Sequence, residues 1–308
     1  MVFSASMDLF AANAQALRAQ YFEHYDVFPR AGAFWLTACG READAFSLRE
    51  AAALCAALDA RFDGTSSQVQ PLLASACAMG EPEPLLLRVS RAYGALREVF
   101  LPSPQLIPAA LLLALRCPDE TDFDETARRV RQLFDALGGA HPLLTGFEDL
   151  GACVLLALSF SDAAKAAKTE AACEALLKPA RVSGGALQSL ALLACLAQEP
   201  EAFCLAAPKY LALRLPPLGA GALAACEGEP EALAEKADAV AQALKKLPSF
   251  GLLSVSGSER RLWACLLTAL DAKASSPAPF AENVLAAAFF SFVGANTTDD
   301  LAALRAGV

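Results

Sequence analysis

Histidine is scarce in this chain: His24 and His141 are the only two among 308 residues. Neither stands in a His-x-x-x-His, Glu-x-x-His or Cys/His cluster, the spacings that zinc and di-iron centres use. No metal and no cofactor is therefore expected. Cys-x-x-Cys is also missing, although there are ten cysteines. Cys77, Cys153, Cys195, Cys226 and Cys265 instead recur one by one inside short apolar segments where alanine would serve as well. That distribution fits small packing residues in a reducing compartment better than disulfides or a metal cluster. Gly-x-Ser-x-Gly, Gly-x-x-x-x-Gly-Lys and Gly-x-Gly-x-x-Gly do not occur. Nucleophile elbows and phosphate-binding loops thus find no support, and an enzyme is the less favoured class.

Long hydrophobic runs are lacking as well. Hydrophobic residues make up 56% of the chain and mean hydropathy is +0.39, yet the longest uncharged runs, near 106–115, 151–160 and 284–295, are shorter than the roughly 18–20 residues of a membrane span. They read as buried helices. The opening MVFSASMDLF has no basic flank before an apolar core, so a cytoplasmic location is the expectation. Positive charge is thin: the net charge is −9 and the pI about 4.9. Arginines and lysines come in small sets such as Arg128, Arg129 and Arg131, or Lys245 and Lys246, without interleaved aromatics. Nucleic acid, whose binding depends on neutralising phosphates, is not an expected partner.

What the chain does have is a period. Ala-Leu pairs near the ends of predicted helices fall at Leu58, Leu96, Leu137, Leu176, Leu213 and Leu244, in steps of 38, 41, 39, 37 and 31 residues. Glu-Pro-Glu recurs in the same phase at 81–83, 199–201 and 229–231. Proline suits the first turn of a helix, where its missing N–H costs nothing, and the glutamates suit the positive end of the helix dipole. No alternating strand pattern appears. The spacing predicts an all-α chain of about six helical hairpins, each roughly 40 residues long, in one domain spanning 1–308. Residues 1–40, where Tyr21, Phe34 and Trp35 lie, are expected to cap the first unit. Residues 41–272 are expected to carry the hairpins, and 273–308 two closing helices near 280–293 and 298–306. The predicted pairs join each short helix to the longer one after it: 68–79 to 82–99, 105–116 to 124–137, 147–160 to 163–178, 185–197 to 200–214 and 218–226 to 230–246. An open solenoid is the first expectation and a closed α/α toroid the alternative.

Connections leading from long to short helices are the richer ones, including LPSPQ with Ser103, HPLLTGFED over 141–149, and SVSGSERR over 254–261. Loops on one rim of a rigid scaffold commonly carry binding residues. His141 with Asp149 has the makings of an acid/base or ligand-holding pair, and equally of a loop anchor. Thr145 and Glu148 match a Thr-x-x-Glu capping box, as Ser47 and Glu50 match a Ser-x-x-Glu one. Gln188 is a polar residue in an Ala/Leu helix, placed either for recognition or to satisfy a backbone group. Arg260 could meet an anion at a helix start, with Ser256 or Ser258 capping that helix and the arginines solvated as the plainer reading. The candidate binding residues are thus His141, Thr145, Glu148, Asp149, Gln188, Ser103 and Arg260.

HPLLTGFEDLGACVLLALS (141–159), GGALQSLALLACL (184–196) and LPSPQLIPAALLLA (101–114) resemble a bacterial family, the domain of unknown function numbered four thousand and three. The resemblance spans roughly 41–270. It rests on the His-Pro string, on Leu-Gln-Ser-Leu at 187–190 and on the Tyr-x-x-Leu-Arg helix end at 93–97. The Gly184-Gly185 pair, where an asparagine is expected, departs from it. The family implies an all-helical, cytoplasmic bacterial protein with no established activity. The functional expectation is a binding scaffold that meets a protein or peptide, or a second copy of itself, on one loop edge or concave face. The alternative is an enzyme or small-molecule receptor with a central cleft near residues 141–149.

Overall fold

The computed structural model describes residues 5–21, 27–142, 144–182, 184–250, 255–273 and 283–296. Among the described residues the regular elements are all helical. The α-helices are α1 (Ala5–Gln20), α2 (Phe28–Ala38), α3 (Ala45–Ala57), α4 (Gln70–Cys77), α5 (Pro82–Arg97), α6 (Leu106–Arg116), α7 (Phe123–Ala140), α8 (Leu150–Ser159), α9 (Ala163–Leu177), α10 (Gly184–Leu196), α11 (Pro200–Ala212), α12 (Pro217–Ala224), α13 (Pro230–Leu244), α14 (Gly257–Ala272) and α15 (Asn283–Ala295). No single helix among them is long and apolar enough to cross a membrane. His24, the break at 275–279 and the expected helix over 298–306 lie outside the described residues.

Helix starts follow local chemistry. Glu81, Glu199 and Glu229 each precede a proline at the first helical position of α5, α11 and α13, as the Glu-Pro-Glu period predicts. Asp162 caps α9 by accepting from the Ala164 N–H at 2.9 Å, and Ser256 caps α14 by accepting from the Glu259 N–H at 3.0 Å. Helix α3 begins earlier than its Ser47–Glu50 pattern implies. Asp44 is the cap, accepting from both the Ser47 N–H and hydroxyl at 2.7 Å, because a carboxylate is the stronger acceptor for the free N–H groups.

Two kinds of helix alternate. In α5, Leu86, Val89, Tyr93 and Leu96 form one buried stripe, and in α7 Phe123, Ala127, Val130, Leu133 and Leu137 do the same. Charged residues cover their other faces, the signature of helices packed on one side only. The even-numbered helices α2, α4, α6 and α8 are buried on nearly every side. The result is an inner layer of mostly short, apolar helices behind an outer layer of longer amphipathic ones.

The hairpin frame differs from the predicted one. The most extensive packing joins each long helix to the short helix that follows it, as in α1 with α2, α5 with α6, α9 with α10 and α13 with α14. The Glu-Pro-Glu turns therefore link successive hairpins instead of closing them. Helices α1 and α2 pack on each other in the same way, and Phe34 and Trp35 are buried in the core. Neighbouring outer helices pack in sequence order from α3 to α13, and α6, α8, α10, α12 and α14 do the same inside.

Helices α1 and α2 also meet α14, far along the chain. Helix α1 packs on α14. The Trp263 ring lies 6.1 Å from Phe10 and 5.8 Å from Phe34, centroid to centroid. Arg30 of α2 pairs with Glu259 of α14 at 3.1 Å. Helix α15 is enclosed by α6, α8, α10, α12 and α14, and it reaches α2 through Phe289 on Phe34 at 5.0 Å and Phe290 on Trp35 at 6.2 Å.

Close approach of α8 and α15 depends on Gly151, where an added Cβ would sit 2.8 Å from the Phe290 Cβ. Gly138, inside α7, has open space around the same position. Gly151→Val is expected to destabilise the fold by roughly 2–3 kcal/mol through overpacking, whereas Gly138→Ala gains about 0.5–1 kcal/mol of helix propensity. Urea titration of both variants checks this, and equal effects would refute the packing account. Trp263→Ala, which empties the seam where α14 meets α1 and α2, is expected to cost about 3–5 kcal/mol. A loss under about 1 kcal/mol in the same titration would show that the seam is not needed for folding.

Candidate functional site

The 141–149 loop sits between the end of α7 and the start of α8, and three neighbours fix it. His141 terminates α7, its N–H donating to the Leu137 carbonyl at 2.7 Å, and its own carbonyl accepts from the N–H groups of Leu144 and Thr145. A short 3₁₀ turn at Phe147–Asp149 leads into α8. Its capping differs by one residue from the Thr145–Glu148 expectation. The Asp149 carboxylate accepts from the Gly146 N–H at 3.1 Å while the Asp149 N–H donates to the Gly146 carbonyl at 3.0 Å. From the inside, α15 presses on this turn: Gly294 lies so close that a Cβ there would be 3.1 Å from the Glu148 Cα.

Thr145 is left for another task. Its hydroxyl accepts a 2.9 Å hydrogen bond from the Gln188 amide at the start of α10. Gln188 is 2% exposed, and its Oε1 has no hydrogen-bond partner. The two most distinctive strings of the sequence, HPLLTGFED and LQSL, thus touch through their polar residues.

Facing the loop is α9. Glu170 and Glu174 are one helical turn apart and so project from the same side. His141 Nε2 lies 3.5 Å from Glu170 Oε1 and 3.2 Å from Glu174 Oε2. Glu170 is 2% exposed and its Oε1 makes no hydrogen bond. Burial holds its carboxyl above the usual carboxylate range, with nearby Glu174 adding to the shift and His141 opposing it. Asp149, buried at 4% exposure, is pushed up to about 7, first by burial and further by Glu148 and Glu170, while the Gly146 N–H and His141 act the other way. His141, Thr145, Glu148, Asp149 and Gln188 therefore come together as one cluster, completed by Glu170 and Glu174. The Glu-x-x-x-Glu spacing at 170 and 174 is visible in the sequence, but on a Lys- and Glu-rich helix it reads as a solvated face. One imidazole nitrogen and two carboxylates within 4.8 Å of one another form a donor set able to hold a metal ion.

Ser103 and Arg260 lie elsewhere. The buried Ser103 hydroxyl accepts from the Gln105 N–H at 3.2 Å and organises the start of α6. Arg260 is buried at the start of α14 and donates to the Phe250 and Val255 carbonyls. It ties down the chain entering that helix and is not the solvated residue its neighbours imply, although Arg261 does reach the surface and pairs with Asp238.

Outside this cluster the surface carries grooves between successive outer helices. The α9/α11 groove, about 660 Å³, is lined by Thr169, Leu176, Glu199, Pro200, Glu201 and Leu205 among others. Leu176 is 50% and Leu205 73% exposed. A groove of about 590 Å³ between α3 and α5 is lined by Glu50, Leu54, Glu81, Pro82 and Glu83. The Glu-Pro-Glu turn forms the lip in both. No protein-family model, curated protein or solved structure matches the chain.

Asp149 makes the cluster pH-sensitive. Its unfolded pKa is near 3.9, so between about pH 4 and 7 the unfolded chain ionises while the folded one must hold its proton or bear a buried charge. Stability from this residue is complete below about pH 4 and falls as pH rises through 7. Asn at this position keeps an acceptor for the Gly146 N–H and removes the penalty. Asp149→Asn is expected to gain melting temperature over the wild type at pH 8 and much less at pH 5. Calorimetry at both values checks it, and a pH-independent difference would refute the assignment.

Proposed function

We propose that this chain is a closed ring of seven helical hairpins, plugged by α15, that works as a scaffold for a protein or peptide partner held in the outer α9/α11 groove. The contacts of α1 and α2 with α14 and the enclosure of α15 support the ring over an open solenoid. The observation that carries the scaffold reading is the groove itself. Leu176 and Leu205 are exposed together in this groove, whereas Phe46 and Leu101 are exposed outside it, and exposed apolar side chains grouped in a concavity mark interaction sites more than isolated ones do. Glu199 and Glu201 edge the groove on a chain of net charge −9, so the complementary segment is apolar with flanking lysine or arginine. Acidic-lipped grooves at two equivalent points of the repeat fit an array that offers one binding mode more than once.

This reading keeps the scaffold class and moves its surface. Asp149, Gln188, Ser103 and Arg260 are each less than 9% exposed, so they are poor contacts for a macromolecule without rearrangement. An enzyme or receptor with a central cleft is disfavoured because Phe289, Phe290 and Phe292 of α15 occupy the centre and are buried there. Membership of the family resembled at 101–114, 141–159 and 184–196 remains part of the proposal, as does a cytoplasmic setting.

A photo-crosslinking residue placed at 205 tests the groove. In lysate of the source cell it is expected to capture a partner through a peptide bearing apolar residues next to lysine or arginine. The yield is expected to fall at least several-fold when Leu176→Asp is added, with the melting temperature unchanged. A crosslinker at Leu101, exposed outside both grooves, serves as the control. Equal capture from 101 and 205, or capture indifferent to Leu176→Asp, would overturn the reading.

A further inference from the structure

We propose that His141, Glu170 and Glu174 form a binding site for one divalent transition-metal ion, independent of the outer groove. Three observations carry it. The first is spacing. Metal–ligand bonds of about 2.0–2.2 Å put adjacent donors roughly 3.0–3.5 Å apart in tetrahedral or octahedral geometry. His141 Nε2 stands 3.2 Å from Glu174 Oε2 and 3.5 Å from Glu170 Oε1. Both histidine–carboxylate pairs already have the separation that an ion between them would impose, all three donors lie within 4.8 Å of one another, and the i, i+4 placement on α9 holds two of them on a rigid element.

The second is an unsatisfied group. Glu170 Oε1 is buried, accepts no hydrogen bond, and faces the imidazole nitrogen at a distance too long for a good one. A buried carboxylate oxygen without a partner costs several kcal/mol on ordinary scales, and a cation bound there would remove that cost.

The third is charge balance. Other junctions in the structure pair carboxylates with arginine: Arg97 with Asp63 at 2.6 Å, Arg88 with Glu120 at 3.2 Å, and Arg261 with Asp238 at 3.1 Å. Between α7 and α9 a single histidine stands where an arginine would, with the buried Asp149 within electrostatic reach of both it and Glu170. Lys178 meets only the outer oxygen of Glu174, at 3.6 Å. Carboxylates outnumber fixed cations here, and a dication restores the balance.

The donor chemistry selects the ion. One imidazole with two carboxylates suits Zn²⁺, Co²⁺, Mn²⁺ or Fe²⁺ better than the all-oxygen shells of Ca²⁺ and Mg²⁺. The side chains of His141 and Glu174 are 15% and 17% exposed, which leaves a path for entry and positions for water. A protonated His141 bridging both glutamates is the competing arrangement, and it binds no metal.

Cobalt(II) added to the metal-free full-length protein at pH 7.5 separates the two, because its visible spectrum distinguishes nitrogen and oxygen ligands from thiolates. The expected result is one equivalent bound, with the weak bands of a nitrogen/oxygen site and no sulfur charge-transfer absorption. Glu170→Gln and Glu174→Gln, which preserve shape, are each expected to lower the affinity at least ~10-fold, a floor taken from the loss seen for outer-shell substitutions. Glu50→Gln, on α3, is expected to leave it unchanged. Glu174→Gln keeps the test decisive if replacing the buried Glu170 prevents folding. No stoichiometric binding, thiolate bands from the ten cysteines, or full affinity in both glutamine variants would overturn the site.

Discussion

One indole ring joins helices from early and late in the described chain. Trp263 is wholly buried and touches Phe10 of α1, Phe34 of α2, and Phe289 and Phe292 of α15, at centroid separations of 5.2 to 6.4 Å. Its N–H donates to Glu259 at 3.2 Å, and that carboxylate also receives Arg30. A large ring with an apolar body and a polar edge can satisfy both demands at a seam where three helices from distant parts of the chain converge. Helix α15 packs on α6, α8, α10, α12 and α14, and apolar side chains fill the space between them.

That packing makes the inner layer apolar, which gives the polar cluster at 141–149 its character. Asp149, Glu170 and Gln188 are buried beside helices of alanine, leucine and phenylalanine. Raised carboxyl affinities at Asp149 and Glu170 follow from that desolvation before any specific partner is counted. A fold selected only for stability would replace such groups with packed hydrocarbon. Places where local rules are broken without local compensation are where function is to be sought. The cluster is such a place, with an orphaned oxygen on each of two neighbouring helices.

Much of the helical layout was legible in the sequence because it rests on short-range chemistry. The starts of α5, α11 and α13 were predictable from Glu-Pro-Glu, and the all-α class from the absence of alternation together with apolar stripes. The hairpin frame was not legible. Whether a long helix packs on the short one before or after it depends on side-chain fit across the turn, as at Gly221 of α12 on Phe203 of α11, and a period of about 40 is the same in either frame. Contact of α1 and α2 with α14 involves residues more than 200 positions apart, such as Arg30 and Glu259, and leaves no trace in a repeat. His141 and Asp149 could be picked out as unusual. Their partners could not, because Glu170 and Glu174 look like ordinary surface glutamates until α9 is laid beside the loop.

The layering also divides where chemistry and recognition can occur. Inner helices spend nearly every face on packing, and the buried residues of α15 run unbroken from Val284 to Gly294. Outer helices spend about half, and their remaining faces are free to vary without touching the core. Most carry charge, as α7 does with Arg128 and Arg131 paired to Glu125 and Asp135 along its own length. The α9/α11 face departs from this with Leu176 and Leu205 uncovered. The rim above α9 departs from it with a histidine and buried carboxylates. Both exceptions use α9, one on its side toward α7 and the other on its side toward α11. One helix thus meets the polar cluster with Glu170 and lines the groove with Cys173 and Leu176.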